Sequence, residues 1–191
     1  MSLDLNAAKK SFLVVDDFEN ARKSMRCMLQ RMGVAEVVEA RDANSAYKAM
    51  KNGQFDVILC DYNLGEGKDG QQLLESVRSE NVISYRTLFV MITAETTKSM
   101  VMGAVEYEPD DYMAKPFASD SLTNRLSRWI KRQDAMSAIL KALDLKDDEA
   151  VVLTCQAVIQ TMPRYKAWAQ RQKIDALMRL KKLDEAHAEL L

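Results

Sequence analysis

Residues 12–22 read FLVVDDFENAR: four apolar residues run directly into two adjacent carboxylates, after which the pattern turns helical. A short apolar run bounded by charge is what a strand buried on both faces looks like in sequence. Two like charges where such a strand ends cost repulsion for no return, unless they hold a cation. Downstream, Ala21, Met25, Met28, Leu29 and Met32 fall on one stripe of a helix that Gly33 ends. That methionine stripe reads as core packing. Strand, acidic turn and helix together make one βα unit.

The unit recurs. Further β-rich runs lie at 35–39, 55–60, 87–92 and 111–114 beside the first at 11–16, and helix-period segments lie at 43–52, 70–80, 95–106 and 119–132. The last of these carries Leu122, Leu126, Trp129 and Ile130 on one side. Five strands alternating with helices predict an α/β fold, a parallel sheet covered on both faces. A length of 191 residues suits either one large domain or a domain of usual size with a small appendage. A formal net charge of -1 argues against a chain built around nucleic-acid phosphates. The three cysteines, Cys27, Cys60 and Cys155, are odd in number and fit no metal-ligand spacing, so they read as small apolar residues in a reducing compartment. No apolar run approaches the roughly 18 residues a membrane span requires, and the N-terminus lacks a signal-peptide core. The expectation is a cytoplasmic protein that engages neither membrane nor nucleic acid.

The chain changes character after the fifth unit. All six glycines lie at or before Gly103, and from Phe117 to Met162 there is neither Gly nor Pro, so nothing there resembles a flexible linker. From 133 onward the pattern is helical. One stripe is Ala135, Ala138, Ile139, Ala142 and Leu143; a second is Ala150, Leu153, Thr154, Ala157 and Val158, stopped by Pro163. A third helix at 165–181 presents Trp168, Ile174, Leu177 and Met178, and a fourth begins at Leu183. The segments LKDDEA (145–150) and KKLDEA (181–186) each open a helix, 36 positions apart. A helix-turn-helix repeat with a period near 34 marks tetratricopeptide arrays, which predicts an all-α extension over 133–191 after a first domain at 8–132. Ending part-way through an amphipathic helix at Leu191, the array is expected either to be truncated or to pack its last helix on a partner, a second copy among the options. His187 reads as a surface residue, and Trp168 as core rather than as a nucleic-acid platform.

Ligands of an open parallel sheet sit outside the carboxyl ends of its strands. That edge collects Asp16 and Asp17 after the first strand, Asp61 after the third, Thr93 after the fourth and Lys115 after the fifth. Three close carboxylates raise one another's pKa unless a hard divalent cation removes the repulsion. Mg2+ suits best, because it keeps waters and accepts phosphate oxygens. Asp61 is then an ionised oxygen nucleophile for metal-assisted phosphoryl transfer, with Lys115 and Thr93 on the remaining phosphoryl oxygens.

These residues carry a resemblance to a family. VVDD (14–17), VILCDYN (57–63), DG (69–70), MITAE (91–95) and YMAKPF (112–117), in this order, resemble the response-regulator receiver domains of two-component signalling over about residues 10–132. The resemblance implies a flavodoxin-like (βα)5 fold and a phosphoacceptor at Asp61, loaded by a histidine kinase or phosphotransfer protein. It implies Mg2+ held directly by Asp17 and Asp61, through water by Asp16, and by the backbone carbonyl of Asn63. It also implies a cis bond from Lys115 to Pro116, a switch formed by Thr93 and Tyr112, and tuning of phosphate loss by Asn63 and Glu95. Such a chain catalyses its own phosphorylation and dephosphorylation but is not otherwise an enzyme. Its output is expected to be protein binding through the receiver face and the tetratricopeptide-like tail, with a homodimer as one form. Two departures stand out: glycines Gly65 and Gly67 occupy a loop where the family generally has a proline, and Glu108-Pro109 replaces a usual Gly-Ala. A phosphatase of the Asp-x-Asp type lacks its general acid here, since position 63 is Asn. A flavin phosphate would be repelled by Asp16-Asp17-Phe18-Glu19.

Overall fold

The structure is a computed structural model that describes residues 9–94 and 108–190. The helix expected over 95–106, and Glu95 with it, lies outside the described residues. The chain divides into two compact units, Met1–Lys131 and Arg132–Leu191.

In the first unit the strands are β1 (Ser11–Val15), β2 (Glu36–Ala40), β3 (Val57–Asp61), β4 (Leu88–Thr93) and β5 (Asp111–Ala114). They form one sheet in the order β2-β1-β3-β4-β5, every pair parallel. The helices are α1 (Glu19–Arg31), α2 (Ala43–Asn52), α3 (Gly70–Ser79) and α4 (Ser119–Ala135), the last of which runs past the unit boundary at Lys131. Successive strand residues point to opposite faces, and the core divides on that rule. Phe12 and Val14 of β1, Val57 and Leu59 of β3, and Val90 and Ile92 of β4 pack with Met25 and Leu29 of α1 and Leu122, Leu126 and Trp129 of α4. Their neighbours Leu13, Val15, Ile58, Cys60, Phe89 and Met91 pack instead with Ala46 and Met50 of α2 and Leu73, Leu74 and Val77 of α3. Both faces need apolar cover, which explains why β1, β3 and β4 read as unbroken hydrophobic runs.

Helix starts are fixed locally. Asp42 caps α2 and Asp69 caps α3, each within a reciprocal box closed by the residue three further on, Ser45 and Gln72. Because strand order reverses between β1 and β3, the helices on either side diverge and leave a crevice at the carboxyl ends of those two strands.

The second unit contains α5 (Ser137–Asp144), α6 (Asp148–Thr161), a 3-10 turn at Pro163–Tyr165, α7 (Lys166–Arg179) and α8 (Leu183–Ala188). Arg179, at the end of α7, pairs with Asp148 at the start of α6, and Lys173 reaches Gln156. The two helices are therefore antiparallel. Their core is Ile139, Ala142, Leu143, Val151, Cys155, Val158, Ala169 and Ala176. This corrects the expected phase of α6, where Leu153 is 73% exposed, and one residue of the α7 stripe, Met178, which is 56% exposed, whereas Leu177 is buried and Trp168 packs against the cluster. The residues at the α6–α7 contact are small, because close approach of two helices favours Ala and Cys over larger side chains. Cys60 and Cys155 are buried as expected, whereas Cys27 is exposed.

Leu59→Ala should lower the unfolding free energy of the first unit by about 3 kcal/mol, the usual cost of a cavity at a fully buried Leu. Leu153→Ala should change the second unit by less than about 0.5 kcal/mol. Urea titration followed by circular dichroism measures both.

Candidate functional site

At the carboxyl end of the sheet, β1 delivers Asp16 and Asp17. Asp16 is fully buried. Its backbone N–H continues the ladder to the Ala40 carbonyl at 3.2 Å, and its side-chain Oδ1 accepts from the Phe18 N–H at 2.9 Å. That bond turns the chain out of the strand and into α1, whose N-cap residue, Phe18, makes no cap with its own side chain. The second oxygen of Asp16 accepts from Lys115 Nζ at 2.7 Å. Asp61, the last residue of β3, is also buried, and its Oδ2 accepts from the same ammonium at 2.8 Å. Lys115 follows β5 directly, after a ladder bond from its N–H to the Thr93 carbonyl, and the Lys115–Pro116 peptide is cis.

Asp17 differs from its two neighbours. Its Oδ1 is buried and has no hydrogen-bond partner among the described residues. Carboxylate oxygens of Asp16, Asp17 and Asp61 lie within 4.8 Å of one another. An unpartnered buried carboxylate oxygen costs free energy, and three carboxylates facing one ammonium leave a net negative pocket. An all-oxygen donor set with one oxygen left over fits a hard divalent cation. Mg2+ is compatible with these residues.

The electrostatics agree. Burial pushes the Asp61 carboxyl above its ordinary value; the hydrogen bond and charge of Lys115 pull the other way without cancelling it, and Asp16 adds to the rise. Desolvation alone would lower the Lys115 ammonium, but its hydrogen bonds to Asp16 and Asp61 outweigh that and hold it above the usual range.

The other expected residues are placed unevenly around this centre. Thr93 is buried at the end of β4, one position beyond the Ile92 that pairs with Asp61. Asn63 is exposed in the loop after β3. Tyr112 stands on the edge strand β5, partly buried against the cluster of α2 and α3, and burial raises its hydroxyl pKa, with Glu108 and Tyr62 adding. Two glycines shape the loop. Gly65 sits at φ 74, where a side chain is strained and a proline excluded, and an added Cβ would lie 3.3 Å from Asp17 Oδ2. At Gly70 an added Cβ would meet the Asp61 carbonyl oxygen at 2.4 Å, so only glycine lets α3 begin against the end of β3.

In the sequence Gly70 is visible only as half of the DG pair, with no sign of this role, and nothing there marks Arg22. Arg22 Nη1 donates to the backbone carbonyls of Asp16 and Asp17 at 2.6 and 3.2 Å. An arginine in the first turn of a helix carries no signal for that contact. The contact depends on how the turn folds back.

The family model described as Response regulator receiver domain matches residues 12–127. Chemotaxis protein CheY-3 of Vibrio cholerae serotype O1 is 30% identical over 120 residues, which span 63% of this chain and 91% of that protein. The receiver domain of the sensor histidine kinase PA1611 from Pseudomonas aeruginosa PAO1, solved with a magnesium ion coordinated in its active site cleft, is 27% identical. It aligns with a TM-score of 0.56 over 64% of this chain and 98% of that one. The Francisella response regulator 1452 receiver domain aligns with a TM-score of 0.57 at 25% identity, over 65% and 98% of the two chains.

Asp61→Asn should raise the melting temperature of the first unit in EDTA at neutral pH by roughly 4 °C, the shift that about 1 kcal/mol makes in a unit of this size. The sign follows from the raised carboxyl: a native state that holds the proton more tightly than the unfolded chain is penalised above its own pKa. The penalty is gone below the ordinary carboxylate range, so the gain should vanish at about pH 3. Melts followed by circular dichroism at both pH values check it.

Proposed function

The chain belongs to the response-regulator receiver family, and on that premise we propose that Asp61 takes a phosphoryl group from the phosphohistidine of a histidine kinase or phosphotransfer protein. The observation that carries the reading is the bridge from Lys115 Nζ to Asp16 and Asp61 beside the unpartnered Oδ1 of Asp17. A carboxylate oxygen of Asp61 attacks phosphorus. The new O–P bond forms as the P–N bond breaks, and the bonding pair returns to the imidazole nitrogen. Lys115, the one ammonium at the centre among the described residues, turns from the carboxylates to a phosphoryl oxygen as charge accumulates there, and the Thr93 hydroxyl donates to another.

Asp17 and Asp61 would hold Mg2+ directly, Asp16 through water, and Asn63 by its backbone carbonyl. Asp16 suits the indirect role because both its oxygens already accept protein hydrogen bonds. Asp17 suits the direct role because one of its oxygens accepts none. When bound, the metal neutralises the pocket and orients the incoming phosphoryl oxygens.

Phosphorylation adds close to two negative charges at this edge. Thr93 and Tyr112 act as the switch, with Asn63 and Glu95 setting how long the phosphate lasts. The chain turns over no external substrate. Its output is protein binding in the cytoplasm, through the receiver face and a tetratricopeptide-like second unit, with self-association as one form. What supports the repeat reading is that LKDDEA (145–150) and KKLDEA (181–186) each lead into a helix, α6 and α8, through a turn with a lysine at positive φ, Lys146 at 54° and Lys181 at 60°, an ending that Asn81 also gives α3. In each turn the residue after that lysine bonds back to a helix carbonyl, Asp147 to Ala142 and Lys182 to Leu177.

Acetyl phosphate with Mg2+ should add the mass of one phosphoryl group to the intact chain, and neither EDTA nor Asp61→Asn should permit it. Intact mass spectrometry that finds the wild-type chain unmodified, while a known receiver domain is labelled in parallel, would overturn the proposal.

A further inference from the structure

We propose that Arg22 is the positioning residue of the acidic centre: its guanidinium holds the peptide carbonyls of Asp16 and Asp17 and so fixes where the two carboxylates point.

The need for such a residue arises from the sheet. At the end of β1 the ladder supplies a partner for the Asp16 N–H, on Ala40, but the carbonyls of Asp16 and Asp17 have left the strand. Buried carbonyls require donors. Arg22 supplies them from the first turn of α1, one Nη1 serving both at 2.6 and 3.2 Å. The backbone closes the same loop, since the Arg22 N–H donates to the Phe18 carbonyl and the Phe18 N–H to Asp16 Oδ1. Two fixed peptide planes set the direction in which each Cα–Cβ bond leaves the chain. A free Asp17 would turn its unpartnered oxygen towards a donor or towards water. Held from behind, it keeps that oxygen in the pocket.

Arg22 is itself anchored. Its Nε lies 3.5 Å from Glu39 Oε2 on β2, and Arg26 Nη1 meets the other oxygen of Glu39 at 3.2 Å. The Arg22 side chain is 13% exposed. Glu39 thus does two things at once. It directs the planar fork so that Nη1 faces the turn, and it offsets a positive charge that would otherwise oppose a cation nearby.

The inference rests on the reading of this pocket as a Mg2+ site, and the test separates the two. Mg2+ is titrated calorimetrically into the wild-type chain and into R22A, R22K and E39Q, with melting temperatures recorded in EDTA. Wild-type protein that takes up no Mg2+ would sink the metal reading, and this proposal with it. If wild type binds, R22A should weaken Mg2+ affinity by roughly tenfold, the scale on which residues behind metal ligands act. R22K keeps the charge but has no second nitrogen to stay on Glu39 while the first meets the carbonyls, so it should recover only part of that loss. E39Q, which frees the fork and unmasks its charge, should weaken binding several-fold. A merely structural arginine would lower the melting temperature in EDTA and leave Mg2+ affinity unchanged in all three variants. An arginine acting only as a nearby charge would make R22A bind more tightly. Either result overturns the proposal, and should R22A fail to fold, R22K and E39Q decide it on the same terms.

Discussion

One ammonium faces three carboxylates, and the fold is arranged so that this imbalance persists. Lys115 Nζ reaches Asp16 at 2.7 Å and Asp61 at 2.8 Å. Each contact is a charge-assisted hydrogen bond in partly desolvated surroundings, stronger than its surface equivalent. Even so, burial leaves the Asp61 carboxyl raised, so a single lysine does not neutralise the centre. Solvent does not finish the task, because Asp16 is fully buried and the buried oxygen of Asp17 meets no donor among the described residues. What remains is a site poised for positive charge and for a group that brings its own oxygens. Function and instability share one cause here.

That cause has to be enforced from outside the pocket. Asp16 and Asp61 end strands that are buried on both faces, so their backbones cannot retreat without opening the sheet. Gly70 lets α3 start against the Asp61 carbonyl, and Gly65 lets the loop pass Asp17 where a side chain would press on a carboxylate oxygen. Asp69 and Gln72 close the helix start that follows. Glycines and caps around an acidic cluster act as a mould, and most of its energetic cost is borne by the apolar clusters on either side of the sheet.

Much of this is legible in the sequence because the relevant signals are periodic or local. The strand runs, the stripes of α1 and α4, and the acidic residues at strand ends follow from alternation and from the chemistry of like charges. Arg22 is not legible, since its contact depends on a turn that brings a helix side chain back onto peptide carbonyls five and six residues earlier. The second unit fails for another reason. In α6, Val151, Val152, Leu153, Val158 and Ile159 spread apolar residues around most of the helix, so periodicity does not select a face. The actual contact runs through Val151, Cys155 and Val158, with the small residues Ala169 and Ala176 opposite, and hydrophobicity scales undervalue such residues.

Strand β5 is the shortest in the sheet, yet bonds converge on both its ends. At its start Asp111 Oδ2 accepts from Trp129 Nε1 and lies 3.5 Å from Arg125 Nη1, while Arg125 donates to the Tyr112 carbonyl at 2.7 Å. At its finish it hands the chain to Lys115 and the acidic centre. Only Tyr112, Met113 and Ala114 separate Asp111 from Lys115, and the strand is paired along one side to β4. An extended segment this short is stiff along its length, so a shift of the Lys115 backbone is felt at Asp111, although the ammonium itself can turn on its own four-carbon stem. Such a backbone shift must either break the bonds that Asp111 and Tyr112 make with α4 or carry them along. The bonds of Asp111 and Tyr112 to α4 thus steady the strand that carries the ammonium.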